Sequence, residues 1–271
     1  MKITVIGAGA MGGAFAEGLL ASPDFKAEDL TIANPHEEKL LSFATRGASV
    51  TTSNTAAIKD ADVVVLAVKP WVVPDVVDEI MDTLDYRRQT IVSFAASVNG
   101  NQLRKLFERD GRLPRIFEAC PNIAIAECQS MTFLVPVEAD GETTKKIERL
   151  FNLLGQTMTV DERALPAGTA LAGCGIAYVM RFVRAATEGG VELGFKADVA
   201  KDIILQTMKG AVALLQQTGL HPEAAIDKVT TPGGLTIRGL NTMEENGFTH
   251  AVIAGLKASA SQYNNLLVFN I

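Results

Sequence analysis

A glycine-rich turn near the start of the chain constrains the fold more than any other feature. Gly7, Gly9 and Gly12 form a G-x-G-x-x-G pattern between a β-rich run, KITVI, and an apolar helical stretch. In this context the glycines permit a tight turn and let backbone approach a pyrophosphate, whose charge the helix N-terminus stabilises. We therefore predict a dinucleotide site; the alternative is a merely tight strand-to-helix turn. The predicted contacts here are Gly7, Gly9, Ala10, Met11 and Gly12.

The first half of the chain alternates short β-rich runs with amphipathic stretches. This pattern is typical of parallel strands joined by crossover helices, and it predicts a doubly wound, Rossmann-like α/β sheet. The predicted strands are 2–7, 30–34, 63–68, 90–95, 115–119, 131–136 and 156–160, and the predicted helices are 14–20, 37–44, 74–84, 101–109 and 143–154.

Strand patterns end near residue 160, and long runs rich in Ala, Leu and Val follow. They predict helices over 165–193, 198–218 and 247–267. We expect a dinucleotide-binding domain over residues 1–160 and an all-α domain over 161–271. So much apolar helix in a short domain favours burial against a second subunit, in a homodimer or a larger oligomer built from dimers.

Composition narrows the class of protein. A formal net charge of −6 with no block of Lys and Arg argues against a nucleic-acid or anionic-membrane partner. The most apolar early run, 63–68, is far too short to span a bilayer. Three separate cysteines and three scattered histidines indicate neither a disulfide framework nor a metal site. We expect a cytoplasmic protein without a metal.

The residue after the second predicted strand bears on the choice of cofactor. An acidic residue there would bind the ribose hydroxyls of NAD, but this sequence has Asn34. An uncharged side chain does not repel a 2′-phosphate, and Lys39 or Arg46 could reach one. NADP(H) is therefore the preferred prediction and NAD(H) the alternative. Asn34 could also be a turn residue before Pro35.

Two further loops should line the same crevice, because they follow strands of the predicted parallel sheet. One is AVKP and the other SFAASV, residues 93–98. Lys69 in the first loop is equally compatible with a solvated lysine at a strand end. The predicted cofactor contacts in these loops are Ala67, Val68, Lys69, Pro70 and Ala95.

The helical half contains an unusual loop, VTTPGGLTIRGL, residues 229–240. Backbone N–H groups of Gly233, Gly234, Leu235 and Thr236 at the start of a helix would form an anion site able to hold a substrate carboxylate. Hydroxyls of Thr236, and of Thr230 and Thr231, could bind that carboxylate or an imine nitrogen. The alternative is a Pro-Gly turn with threonines capping helix ends.

The helical half offers few titratable side chains for catalysis. Reduction of a ketone generally needs an acid or base, whereas an iminium carbon is already electrophilic. This scarcity favours a C=N substrate.

Several segments together resemble the pyrroline-5-carboxylate reductase family over nearly the whole chain. They are IGAGAMGGA, AVKP, SFAASV, CPN at residues 120–122, ALAGCGIAY at 170–178, TTPGGLTIRGL and GFTHAVIAGL. The resemblance implies reduction of Δ1-pyrroline-5-carboxylate to L-proline with NADPH or NADH, at a site formed in a homodimer. It also implies that the PGGLT loop holds the substrate carboxylate and that the catalytic Thr236 hydroxyl lies near the ring nitrogen.

The same resemblance places Val68, Pro70, Ala95 and Asn122 beside the nicotinamide or its ribose. The chain departs from the family pattern at two places. Where the family usually has Met-Pro-Asn-Thr-Pro and Ser-Gly-Ser-Gly-Pro-Ala-Tyr, this chain has residues 120–124, CPNIA, and 172–178, AGCGIAY. These changes remove hydroxyls or prolines, and Cys174 would fill the space of a serine.

Two alternatives follow from these departures and from the fold. One is a divergent relative that reduces another cyclic imino acid or binds NADP(H) without turnover. The other, more remote, is a β-hydroxyacid dehydrogenase, but the lysine and asparagine that such enzymes carry on one helix are missing from residues 173–190.

Overall fold

A computed structural model describes residues 1–266, and it divides into two compact units. The first contains Met1–Cys174 together with the segment that begins at Ser259, and the second is Gly175–Ala258. The last residue of the predicted helix 247–267 lies outside the described residues. The predicted boundary at residue 160 stays a prediction.

The first unit is built on one eight-stranded sheet. Its order is β3-β2-β1-β4-β5-β6-β7-β8, and every neighbouring pair is parallel except β6 and β7. The strands are β1 (Ile3–Ile6), β2 (Leu30–Ala33), β3 (Ser49–Thr51), β4 (Val63–Leu66), β5 (Thr90–Ser93), β6 (Arg115–Cys120), β7 (Ser130–Glu138) and β8 (Gly155–Thr159). The chain leaves β1 for β2 and later returns to β4 on its other side, so a crevice opens at the carboxyl ends of β1 and β4.

Strand β4 shows why the sheet needs helices on both faces. All four of its residues are buried, and they alternate between two apolar clusters. Val64 and Leu66 belong to one cluster, and Val63 and Val65 to the other. A parallel strand covered on both sides is apolar throughout, as this sequence is.

Six helices accompany the sheet. They are α1 (Ala10–Ala21), α2 (Leu41–Ala44), α3 (Asn54–Ile58), α4 (Val73–Ile80), α5 (Gly100–Phe107) and α6 (Gly141–Asn152). Helices α1 and α6 contribute Phe15 and Phe151 to one apolar cluster, where the two rings lie 5.6 Å apart. Helices α4 and α5 contribute Val77 and Phe107 to the other.

The doubly wound fold is confirmed, and the differences from the sequence expectation are local. Strand β3 and helix α3 are missing from the prediction, because each is short and their sequence, SVTTSNTAAI, has no clear periodicity. Ser53 begins α3 by accepting a hydrogen bond from the N–H of Ala56. The antiparallel direction of β7 is also new, since composition does not encode strand direction.

After the sheet, the described residues form six more helices: α7 (Leu165–Gly168), α8 (Gly175–Glu192), α9 (Ala197–Thr218), α10 (Pro222–Asp227), α11 (Leu235–Glu245) and α12 (Phe248–Leu266). Thr169–Cys174, between α7 and α8, is a π-helix. Within the second unit α8 packs closely on α9, and a Cβ added to Gly190 would lie 2.8 Å from that of Ala200. Small residues permit this close approach.

Helices of the second unit expose many large apolar side chains. Examples on α9 are Ile203, Leu205 and Val212, which are 44%, 48% and 52% exposed. The helical run Glu162–Glu192 is also long and apolar enough to cross a membrane by length and composition alone, a test that helices of soluble proteins can pass as well. Exposed apolar surface of this extent is typical of an interface.

Candidate functional site

A cleft of about 740 Å³ lies at the carboxyl ends of the parallel strands in the first unit. It gathers most of the predicted cofactor contacts from four separate parts of the sequence. They are Gly7, Gly9, Ala10, Met11, Asn34, Ala67, Val68, Lys69, Pro70 and Ala95. The parallel topology brings these residues together, because each follows the end of a strand.

The three glycines of the motif face different surroundings. Gly7 has φ +104°, and a Cβ there would lie 2.7 Å from the carbonyl oxygen of Ala67. A Cβ on Gly12 would lie only 1.9 Å from the carbonyl oxygen of Gly7. Gly12 lies outside the cleft lining, so its contribution is the close packing of α1 on the turn.

Gly9 differs, because a Cβ added to it would meet no protein atom within 4 Å. The residue lines the cleft, and nothing in the protein requires it to be glycine. The open space above its Cα therefore fits a ligand that approaches the backbone closely, as a pyrophosphate does.

Helix α1 begins at this point with its N–H groups directed outward. Gly9 is the N-cap residue, and no side chain caps the helix or places a negative charge in its first turn. The first turn of α1 therefore places no negative charge of its own at the positive end of the helix dipole, which suits a bound phosphate.

Asn34 is buried and connects two loops of the cleft. Its Oδ1 accepts a hydrogen bond from the N–H of Ala8 at 3.1 Å, and its Nδ2 donates to the carbonyl of His36 at 3.1 Å. These bonds leave one N–H of the amide for a ligand. Lys39 also lines the cleft, whereas Arg46 is exposed and is not part of the lining.

The sequence prediction missed several polar residues on the same cleft. Thr52 and Asn54 follow β3, and Asp75 and Glu79 lie on α4. Asn54 donates to the Glu79 carboxylate at 2.7 Å. The feature that could have identified Thr52 and Asn54 is their position after β3, the strand beside β2. With only three residues, β3 is too short to recognise in the sequence.

Asn122 is not among the residues that line the cleft. Its Oδ1 accepts from the N–H of Ala124 at 3.1 Å, and its Nδ2 donates to the carbonyl of Ala172 at 3.3 Å. Asn122 thus begins the 3₁₀ segment Ile123–Glu127 and ties it to the π-helix. These two hydrogen bonds stabilise the local fold, and the predicted cofactor contact of Asn122 stays a prediction.

In the second unit, the PGGLT loop, residues 232–236, begins with a tight turn directly before α11. The N–H of Gly234 donates to the carbonyl of Thr231 at 2.9 Å, and Gly233 has φ +72°. This geometry, with Pro232 before Gly233, is a type II turn, which explains the proline and the first glycine. The Gly234 N–H is thus engaged within the turn.

The first turn of α11 presents the remaining groups of the predicted anion site. No side chain caps the helix and no acidic residue lies in its first turn, so the N–H groups of Leu235 and Thr236 have no side-chain acceptor. Both residues are exposed. The Thr230 hydroxyl, by contrast, donates to the carbonyl of Asp227 at 3.2 Å.

Comparison with known proteins shows which protein families the chain is similar to. A family model described as pyrroline-5-carboxylate reductase dimerisation matches residues 162–266, and one described as NADP oxidoreductase, coenzyme F420-dependent, matches residues 2–97. Pyrroline-5-carboxylate reductase 1 of Dictyostelium discoideum is 36% identical over 97% of this chain, which spans 49% of that protein. Pyrroline-5-carboxylate reductase 2 of the same organism is 33% identical, over 96% of this chain and 91% of the relative.

The chain belongs to the pyrroline-5-carboxylate reductase family. A solved pyrroline-5-carboxylate reductase from Coxiella burnetii is 28% identical and superimposes with a TM-score of 0.87 over 98% of each chain. The recognition from sequence is therefore confirmed, and so is the combination of a Rossmann-like sheet with a helical second half.

The departures from the family pattern have clear positions in the structure. Cys120 ends β6, and its Sγ lies 3.1 Å from the hydroxyl of Thr169 on the π-helix. Burial raises the pKa of the Cys120 thiol, so the thiol is protonated at neutral pH. Ile123 is 41% exposed at the start of the 3₁₀ segment. Cys120, Cys128 and Cys174 are all free thiols.

A buried acid in the first unit has no counterpart in the sequence prediction. Glu118 on β6 is only 6% exposed. Burial, and then the charge of Glu162, raises the pKa of its carboxyl group to about 8. Among the described residues no group of three or more His, Cys, Asp or Glu could hold a metal ion.

Proposed function

We propose that this chain reduces the C=N bond of Δ1-pyrroline-5-carboxylate to give L-proline, with NADPH as the preferred cofactor. The observation that carries the proposal is the 33% identity to a pyrroline-5-carboxylate reductase over 96% of this chain and 91% of that relative. The dinucleotide cleft and the PGGLT loop support it from chemistry.

Residues of the cleft fit a dinucleotide. The bare Cα of Gly9 and the uncapped N-terminus of α1 accommodate the pyrophosphate, and Asn34 with Lys39 favours a 2′-phosphate over free ribose hydroxyls. When bound, the nicotinamide supplies the hydride that reduces the imine carbon. A match of residues 2–97 to a model described as an NADP oxidoreductase supports the same preference.

The PGGLT loop would hold the substrate. The N–H groups of Leu235 and Thr236 bind the carboxylate at the positive end of α11, and the Thr236 hydroxyl contacts the ring nitrogen. Gly233 and Gly234 shape the turn, and Thr231 accepts the hydrogen bond that closes it. Because the iminium nitrogen arrives protonated, this loop needs no strong acid.

The protein works as a homodimer, or as a larger oligomer of dimers, in the cytoplasm. The match of residues 162–266 to a dimerisation model and the exposed apolar side chains of α9 support the subunit contact. Three free thiols suit a reducing compartment. The acidic net charge of −6 gives no support to a nucleic-acid partner or an anionic membrane partner.

The decisive experiment follows the loss of nicotinamide absorbance when the purified protein meets Δ1-pyrroline-5-carboxylate. NADPH and NADH are compared in parallel, and a six-membered cyclic imino acid serves as the control substrate. We expect rapid oxidation of NADPH with the five-membered ring. Faster turnover of the six-membered ring would favour the alternative that the chain reduces another cyclic imino acid. The departures from the family pattern at Ile123, Ala124 and Ile176 are the reason for considering it. Cofactor binding without turnover of either ring would contradict the proposal.

A further inference from the structure

A second cavity, of about 650 Å³, lies entirely within the first unit and shares no lining residue with the dinucleotide cleft. Strand β6, the segment Glu162–Ala164, helix α7 and the end of α12 surround it. Leu165, Pro166 and Ala167 supply apolar walls, so the cavity has room and surface for a small molecule.

Glu118 lines this cavity and has an unsatisfied atom. The residue is 6% exposed, and its Oε1 has no hydrogen-bond partner among the described residues. On β6 the alternate residues Ile116 and Cys120 share its face and pack in apolar surroundings. A buried carboxyl without a partner is costly, so its presence among apolar neighbours calls for a group that donates to it.

The charges around the cavity favour a cation. Its lining contains two carboxylates, Glu118 and Glu162, and one guanidinium, Arg163. When both carboxyl groups are ionised, the net charge of these three side chains is −1, which one bound cation neutralises. Arg104 lowers the pKa of the Glu118 carboxyl, but its Nε lies 3.5 Å from Glu138, with which it forms an ion pair. The Gly100 N–H donates to Glu162 at 3.4 Å; it also lies beside Glu118 and lowers the pKa of that carboxyl, but it leaves Oε1 without a hydrogen bond of normal geometry.

Tyr263 completes the polar side of the cavity. It is 7% exposed, and burial, then the nearby Cys120, Glu118 and Glu162, raises the pKa of its hydroxyl. The phenol is therefore neutral throughout the physiological range, and its ring offers an aromatic surface of the kind that attracts an ammonium ion.

We propose that this cavity binds a small organic ammonium ion, whose N–H donates to Glu118 Oε1 while its apolar body packs against Leu165 and Pro166. The cavity is separate from the dinucleotide cleft, because the two share no lining residue. The site is a second small-molecule site on the first unit.

Binding should depend on pH in a definite direction. The carboxyl of Glu118, with a pKa of about 8, is mostly protonated at pH 7. An ammonium ion binds the ionised form, so affinity rises by about tenfold from pH 6 to pH 7 and levels off above pH 8. A Lys-like amine stays protonated over this interval, since its pKa is about 10.4.

The test is isothermal titration of the full-length oligomeric protein with cyclohexylammonium chloride at pH 8. Cyclohexanol has the same ring without the charge, and sodium chloride at equal ionic strength controls for screening. We expect cyclohexylammonium to bind and cyclohexanol to bind at least tenfold more weakly. Glu118→Gln should weaken cyclohexylammonium binding at least tenfold, and Glu28→Gln, at an exposed site in the same unit, should leave it unchanged.

Three results would overturn the proposal: no heat of binding in the wild-type protein, equal affinity for cyclohexanol, or unchanged binding in Glu118→Gln. If Glu118→Gln fails to fold, the pH series on the wild-type protein decides, because pH-independent affinity excludes a titrating carboxyl. Turnover of Δ1-pyrroline-5-carboxylate is measured separately, so loss of one activity does not obscure the other.

Discussion

Single residues in the dinucleotide motif separate ligand contact from packing. A Cβ on Gly9 meets nothing within 4 Å, whereas one on Gly12 would overlap the carbonyl oxygen of Gly7. The pair therefore provides a matched test of the cleft, since both substitutions add one methyl group within four residues of each other.

We predict that Gly9→Ala folds normally, with less than about 1 kcal/mol lost in the free energy of unfolding. Its affinity for NADPH should fall at least tenfold, roughly 1.4 kcal/mol, because the methyl group occupies ligand space. Gly12→Ala should instead lose about 1–3 kcal/mol or more of stability. Urea unfolding and fluorescence titration with NADPH measure the two effects. Tight NADPH binding by Gly9→Ala would remove Gly9 from the cofactor site.

Thr236 is the residue whose hydroxyl belongs to the proposed chemistry. Thr236→Ala should lower kcat/KM for Δ1-pyrroline-5-carboxylate about 10- to 100-fold, the effect of one hydrogen bond to a charged group. NADPH binding should stay unchanged. Thr242→Ala, on the same helix with its hydroxyl bonded to the Arg238 carbonyl, is the control. An equal loss of imine turnover and NADPH affinity would contradict a substrate-specific part for Thr236.

Glu118 should make stability fall as pH rises. Its pKa is about 8 in the fold against 4.5 for an ordinary glutamate, so between these values the folded protein keeps a proton that the unfolded chain releases. The group therefore lowers the free energy of unfolding by about 2–4 kcal/mol between pH 5 and pH 8. In Glu118→Gln this decline should disappear. Urea unfolding at pH 5 and pH 8 measures the free energy of unfolding of both proteins. An equal change between the two pH values in the wild type and in Glu118→Gln would show that Glu118 is not a buried neutral acid.

At the scale of elements, long periodic segments and glycine motifs are predictable, and short or orientation-dependent features are not. The apolar run of β4 and the turn after β1 identify the Rossmann-like sheet. Strand β3 has three residues, two of them exposed, so no alternation marks it. The position of Glu118 beside Glu162 depends on a contact between segments 44 residues apart, which sequence spacing does not reveal.

The sequence also could not show which polar groups of the site are already engaged. Asn34 and the N–H of Gly234 are both predicted contacts, yet each makes hydrogen bonds within the protein. Such bonds depend on the path of neighbouring loops in space. Residue type gives the capacity for hydrogen bonding, and only the fold determines how much of it is left for a ligand.

Helix α8 approaches α9 closely at Gly190, and the neighbouring Gly189 supplies the control. A Cβ on Gly190 would lie 2.8 Å from the Cβ of Ala200, whereas a Cβ on Gly189 meets no atom within 4 Å. We predict that Gly190→Ala destabilises the protein by about 1–3 kcal/mol. Gly189→Ala should be neutral or up to about 1 kcal/mol more stable, because alanine favours helix. Equal midpoints of urea unfolding for the two variants would contradict close packing at Gly190.

At the scale of the whole molecule, the apolar side chains of α9 predict how the protein assembles. Val212 is 52% exposed in one chain. If it lies in the proposed dimer contact, Val212→Asp should shift the protein toward monomer, since an unpaired charge is costly in an interface. Sedimentation velocity over a range of concentrations measures the shift, and Gln217→Asp, at an exposed polar position of α9, is the control. An unchanged dimer in Val212→Asp would place the contact elsewhere.

The packing of α1 links its C-terminal end to the segment where the chain departs from the family pattern. A Cβ on Gly18 would lie 2.1 Å from the carbonyl oxygen of Ile125, and Cys128 Sγ lies 3.5 Å from the carbonyl of Gly18. The far end of this helix thus rests on the segment that contains the altered residues Ile123 and Ala124. Substitutions in that segment would therefore alter the position of α1, and with it the binding of the dinucleotide phosphates at the opposite end of the helix, without contacting the phosphates.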